Sequence, residues 1–216
     1  MRLLILGGTG LCGHLLIRDA LTASHTVVVY ARSPEKLSND FATNPAVTVI
    51  KGDLTDVDGL SKAIEGVDAV VSALGPDKGH PSGTPLAHAY ATIIPLMKKY
   101  GVKRLIALGT ASIRDEHDKF SLSYSAMIIM VSTFARSAYK DIIAIGDTIR
   151  TQGDDLTWTI VRVGILTNDE KKDVVAGYVG DGKTRAHLAR AAFADFVIGE
   201  VEKNEWCGQA PLISSP

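Results

Sequence analysis

The opening stretch, MRLLILGGTGLCG, constrains this chain more than any other. Residues 3–6 are a continuous apolar run, the pattern of a parallel strand buried on both faces. Gly7, Gly10 and Gly13 follow at G-x-x-G-x-x-G spacing. Residues 11–23 then read as an amphipathic helix, with Leu11, Leu15, Ile17 and Leu21 available for its inner face. The glycines therefore stand where a strand turns into a helix. There Gly7 permits a sharp turn, Gly10 lets a pyrophosphate approach the backbone, and Gly13 lets the helix pack closely on the strand. The unpaired N–H groups and positive dipole end of the helix face the phosphates. A glycine-rich turn in another α/β fold is the alternative. The preceding strand and the following helix favour dinucleotide binding.

The length of 216 residues suits one α/β domain, 1–216, with a full core. A formal net charge of −1 gives no basic field for nucleic acid. Cys12 and Cys207 make no disulfide framework, which fits a reducing, cytoplasmic compartment. A chain that starts directly on a strand is expected to carry no targeting leader. The most apolar long stretch, 126–131, is too short to span a bilayer, so no membrane association is expected. The expected partner is a small-molecule substrate, and the expected state a monomer or homodimer. The six histidines are scattered, and none pairs with a cysteine or carboxylate at ligand spacing, so no metal site is expected. A G-x-S-x-G elbow and the Gly-Lys-Ser/Thr ending of a P-loop are both absent from the sequence. Cys12 sits at a helix N-terminus, a position that tends to lower a thiol pKa.

Further strands follow in order. Residues 26–30 (TVVVY) are β-branched and form the second. An NAD site places an acidic residue near its end, about twenty residues past the glycines, for the ribose hydroxyls. Arg32 stands there instead, a guanidinium suited to a 2′-phosphate, with Ser33 and Lys36 assisting. This favours NADP(H) over NAD(H), the alternative being a solvated arginine. Residues 47–51 form the third strand and run into GDLTD. Asp56 is the expected cap of a helix over 57–65, leaving Asp53 for the nucleotide. Residues 68–72 form the fourth strand, and Ala73, Leu74 and Gly75 after it flank the cofactor ribose by the crevice rule. The turn-rich loop 77–84 (DKGHPSGT) is placed to cover a substrate, with His80 a candidate proton donor and a solvated loop histidine the alternative. Thr84 is expected to cap a helix reaching about residue 100, with Pro95 inside it. Residues 103–108 form the fifth strand, and Thr110 and Ser112 lie at its carboxyl end, Ser112 towards the crevice. Residues 123–151 form one long helix or two abutting helices. The first half, 125–134, is apolar on nearly every side and is read as core by default, with a pocket wall or partner surface as alternatives. Residues 156–163 form the sixth strand, ending in Val163, Gly164, Ile165 and Leu166. A short strand over 174–178, a turn at 180–182, a helix over 186–201 and an edge strand over 210–213 complete the chain. The fold expected is a doubly wound Rossmann α/β domain. Its sheet is mostly parallel, with about six or more strands and helices on both faces. Residues 76–88, 112–134 and 164–185 would form the substrate region.

Together GGTGLCG, ARSPEKL, GDLTD, SALGP and LTWTIVRVGILTN resemble the NmrA-like NAD(P)-binding proteins. These are atypical short-chain dehydrogenase/reductases, a group that includes biliverdin-reductase-B-like flavin reductases. The resemblance covers nearly the whole chain. It implies that Gly7, Thr9, Gly10, Leu11, Cys12 and Gly13 hold the pyrophosphate, Arg32 the 2′-phosphate, and Asp53 with Leu54 the adenine. Ala73, Leu74 and Gly75 would lie by the ribose, and Val163, Gly164, Ile165 and Leu166 near the nicotinamide. Ser112 falls where such reductases place a catalytic serine. Members with the full catalytic set use Tyr-x-x-x-Lys, in which the lysine makes the tyrosine a usable general acid. Here Tyr124 is followed four residues on by Ile128, and Tyr139 by Ile143. Either another group then protonates the product, such as Tyr124 acting without a lysine, His80 or water, or no reduction takes place.

The resemblance and the arginine together imply an NADPH-dependent reductase, passing a hydride to a small carbonyl, quinone, flavin or enone. A non-catalytic NAD(P) redox sensor is the alternative, and a redox-neutral isomerase or cyclase a third.

Overall fold

The computed structural model describes residues 1–77 and 79–216. In chain order the elements are β1 (Arg2–Leu6), α1 (Leu11–Thr22), β2 (Thr26–Ala31), α2 (Asn39–Ala42), β3 (Val47–Lys51), α3 (Val57–Ile64), β4 (Ala69–Ser72) and α4 (Pro85–Lys99). Then come β5 (Arg104–Thr110), α5 (Leu122–Phe134), α6 (Arg136–Gln152), β6 (Thr157–Val163), β7 (Ile165–Thr167), β8 (Val175–Gly177), β9 (His187–Ala189), α7 (Arg190–Lys203) and β10 (Leu212–Ser214). The main sheet runs β3-β2-β1-β4-β5-β6-β10-β8, parallel except for the β10–β8 pair. This is the doubly wound order, and it reverses direction between β1 and β4.

Both faces of the sheet are covered. Leu4 and Leu6 of β1 pack with α3, α4 and α6 through residues such as Leu60, Tyr90, Ile93 and Ile145. Leu3 and Ile5 point the other way, onto α1 and α7, against Leu16, Ile17, Phe193 and Val197. That explains why β1 reads as an unbroken apolar run. No helix among the described residues is long and apolar enough to cross a membrane.

Several local expectations need correction. The inner face of α1 is Gly13, Leu16, Ile17 and Ala20. Leu11 is 66% exposed, and Leu15 and Leu21 only flank the core. The close seat of Gly13 sets the phase of the helix, so the residues three, four and seven further on follow it inward. Residues 123–151 divide into two abutting helices, but 125–134 is not core. The one buried residue of α5 is Tyr124, and Ile129, Met130 and Phe134 are exposed. Hydropathy alone does not separate an interior helix from one lying across the strand ends. The last helix begins at Arg190, because residues 187–189 pair with β7 as a strand. The final strand lies between β6 and β8, and β8 is the edge.

A buried ion pair fastens the irregular residues 113–120 to the sheet. Arg162 of β6 has no exposed surface. Its guanidinium donates to both carboxylate oxygens of Asp118, at 2.7 and 2.8 Å, and to the Ile113 carbonyl at 2.8 Å. Its Nε donates to the Ala210 carbonyl at 2.6 Å, joining the C-terminal segment to the same point. Burial opposes ionisation of Asp118. The two bonds from Arg162 and those from the Asp115 and Val179 amides outweigh it, so its carboxyl is held below the usual range. A depressed carboxyl stabilises the fold fully above its unfolded pKa, about 4. That contribution fades as pH falls towards the lower native value. Asp118→Ala leaves Arg162 buried without its counter-charge and should cost about 3 kcal/mol or more in urea unfolding. Asp118→Asn should flatten the decline in stability below pH 4. An unchanged acid limb would show that other carboxylates carry it.

Candidate dinucleotide site

The turn after β1 is built for close approach. Gly7 has φ +75°, and a Cβ there would stand 3.0 Å from the Ala73 carbonyl carbon, in the loop after β4. A Cβ on Gly13 would fall on the Gly7 carbonyl oxygen. Gly10 precedes α1 in an extended conformation, and the first turn of α1 contains no acidic residue. The N-terminal amides of a 12-residue helix thus point, without a competing carboxylate, at the gap between β1 and β4. This arrangement fits the diphosphate of a dinucleotide.

A cavity of about 350 Å³ extends from that gap. Gly7 and Thr9 line one side, and Leu74 and Gly75 line the next. Arg32, Ser33 and Lys36 come from the end of β2, and Asp53 and Leu54 from the end of β3. Gly10, Leu11, Cys12 and Gly13, at the start of α1, do not themselves line this cavity. Ala73 packs partly buried against the α1 side of the core. The guanidinium-bearing residue Arg32 is exposed at the cavity mouth.

The Asp53 carboxylate accepts from the Thr55 amide and hydroxyl, both at 3.0 Å. Asp56 caps α3 through the Gly59 amide at 2.9 Å. Tyr30 holds the turn between them, its hydroxyl donating to the Asp53 carbonyl at 2.7 Å. Burial, with Asp56 and Asp53 nearby, pushes Tyr30 up to about 12, so it stays a donor. Its role was hidden in the sequence, because it reads there only as an apolar strand residue.

A second cavity, of about 220 Å³, opens at the ends of β5 and β6. Thr110, Ser112, Val163, Gly164 and Ile165 form its floor, and Met127, Ile128, Met130 and Val131 of α5 form its wall. Leu166 turns away to the α1–α7 side of the core. Ser112 is half-buried, and its amide donates to the Thr110 hydroxyl at 3.2 Å. Tyr124 is buried among Ala111, Val179 and Leu212. Its hydroxyl donates to the Arg185 carbonyl at 2.5 Å, and burial, then Asp181, raises its pKa.

His80 lines the first cavity, not the second. Its Nε2 lies 2.7 Å from Asp141, a fully buried carboxylate on α6. The same carboxylate accepts from the Leu86 and Ala87 amides, each at 2.9 Å, and so caps α4. Thr84 therefore does not serve as the side-chain cap. It takes a left-handed conformation, φ 53°, and makes no cap bond. Asp141 was missed in the sequence, yet a signal existed. It falls in the buried stripe of α6 with Ile142, Ile145 and Ile149, where an acid needs a partner. Of the loop 77–84, Lys78 lies outside the described residues.

A family model described as NAD(P)H-binding matches residues 7–204. The chain belongs to the NAD(P)H-binding family. Photosystem II assembly factor Ycf39 from Synechocystis sp. is 38% identical over 73 residues, 34% of this chain and 22% of that protein. Oxidoreductase ptaF from Pestalotiopsis fici is 24% identical over 204 residues, 88% of this chain and 76% of that protein. The chain spans about a quarter of the length of the first two curated relatives it matches. Among solved structures, a short-chain dehydrogenase/reductase from Veillonella parvula in complex with NADP shares the fold. Its TM-score is 0.80 at 18% identity, covering 100% of this chain and 94% of that one.

Within this family site, Cys12 departs from expectation. Burial pushes its thiol up, and the opposing charge and hydrogen bond of Arg190 do not compensate. Desolvation outweighs the helix N-terminus here. Cys12 should therefore alkylate more slowly than a free thiol at neutral pH, and more slowly still with a dinucleotide bound. Equal labelling with and without dinucleotide, read by mass spectrometry, would remove the glycine turn from the binding site.

Proposed function

We propose that the protein is an NADPH-dependent reductase, passing a hydride to a small carbonyl, quinone, flavin or enone. One observation carries this: Arg32, Ser33 and Lys36 line the same cavity as Gly7 and Thr9. A 2′-phosphate beside the adenosine ribose then meets a guanidinium, an ammonium and a hydroxyl. Bound nicotinamide supplies the hydride. The chain's own groups position and shield. The α1 amides hold the diphosphate, and the Thr110–Gly164 floor supports the acceptor. The Ser112 hydroxyl orients the acceptor oxygen, while the Met127–Val131 wall excludes water. The Tyr124 hydroxyl already donates its hydrogen bond to the Arg185 carbonyl, which supports acceptors that need little acid help, such as flavins and quinones.

A redox sensor is the second reading, favoured by the exposed apolar residues Leu122, Ile129 and Phe134 of α5, which suit a protein partner. Titration with NADPH, NADP+, NADH and NAD+, followed by a flavin and quinone panel, separates the two. Turnover of any acceptor supports the reductase. Preference for one redox form without turnover supports the sensor. Arg32→Ala should weaken NADPH roughly 10- to 100-fold, the value of a charged hydrogen bond, and leave NADH nearly unchanged. An equal loss for both dinucleotides would remove the case for NADP.

A further inference from the structure

We propose that His80, held in place by Asp141, contacts a ribose hydroxyl in the part of the dinucleotide that NADPH and NADH share. This rests on the dinucleotide reading above and goes beyond it. Asp141 has no exposed surface and lies inside the apolar stripe of α6. Its carboxylate oxygens accept the Leu86 and Ala87 amide hydrogens. An ionised carboxylate offers only acceptors, so the bond to His80 requires the hydrogen on Nε2. In the neutral ring, Nδ1 carries the lone pair and is an acceptor.

The His80 side chain is only 7% exposed, and the ring lines the cavity that begins at Gly7 and Thr9. With Nε2 taken up by Asp141, the ring's other nitrogen matches a sugar hydroxyl, a group that a dinucleotide presents on either side of its diphosphate. On the reading above Arg32 meets the 2′-phosphate, and His80, lining the same cavity, is assigned to a part of the ligand common to both dinucleotides. Ser112 and the acceptor cavity are lined by other residues. His80 is accordingly a binding residue for the dinucleotide, and Asp141 a positioning residue that acts through it.

His80→Gln separates contact from support. The Gln amide nitrogen reaches the place of Nε2 and keeps the donor to Asp141, but nothing replaces Nδ1. Fluorescence titration of the purified protein should show NADPH and NADH weakened by the same factor, about fivefold or more, as expected for one lost hydrogen bond. The melting temperature should stay at the wild-type value. Arg32→Ala, in contrast, discriminates between the two dinucleotides. Asp141→Asn should lower the melting temperature through the α4 cap and also reduce affinity. Combined with His80→Gln, it should reduce affinity no further than the larger single loss. His80→Ala serves the same comparison if the Gln variant does not fold. Wild-type affinity in a folded His80 variant overturns the proposal, as does full additivity with Asp141→Asn. If the wild-type protein binds no dinucleotide at all, the broader reading fails and this contact falls with it. If it binds and His80→Gln binds equally well, the contact alone is wrong.

Discussion

Everything at the nucleotide end of the sheet depends on how closely α1 can sit against the turn that follows β1. That seat exists because residue 13 has no side chain, and any Cβ there would collide with the Gly7 carbonyl. The contact fixes the axis of α1 and the phase of its buried face. It also fixes the direction in which its free amides point. On the far side of the same turn, a Cβ on Gly7 would meet the backbone of Ala73. The loops after β1 and β4 are thus set at one distance, and the cavity between them is a by-product of that spacing.

The parts legible in the sequence are those governed by local periodicity and by glycine. The β1–α1 junction, the six parallel strands and the Asp56 cap follow from runs of three to seven residues. The same holds for the Arg32 position, fixed by its place at a strand end. Each uses information held within one element or its immediate neighbour. The crevice rule then carries these local assignments to one end of the sheet.

What stayed hidden is held by contacts distant in sequence. Asp141 caps a helix more than fifty residues earlier, and the amide–carboxylate bonds leave no pattern in residues 84–87. Arg162 reads as a strand residue, yet it gathers Ile113, Asp118 and Ala210 around itself. Arg104 does the same with Thr157 and Glu200. For α5, hydropathy pointed to the interior because composition records what a residue is and not whether anything lies outside it. Its inner side faces Thr110, Ser112 and Val163 across a cavity, and Ile129 and Phe134 on the helix are exposed.

The placement of β10 between β6 and β8 bears on how the chain is made. Among the described residues β8 pairs in the sheet only with β10, and β10 lies well downstream of it. During synthesis the strands up to β6 can pair as they emerge, since each finds its neighbour already present. Residues 175–177 have no such neighbour and must wait. Until residues 212–214 arrive, the outer side of β6 is an open edge, and Arg162 lacks its bond to Ala210. The β6 edge is therefore covered only after β10 has been made, and the nascent domain is exposed to wrong pairing along β6 for the whole of that interval.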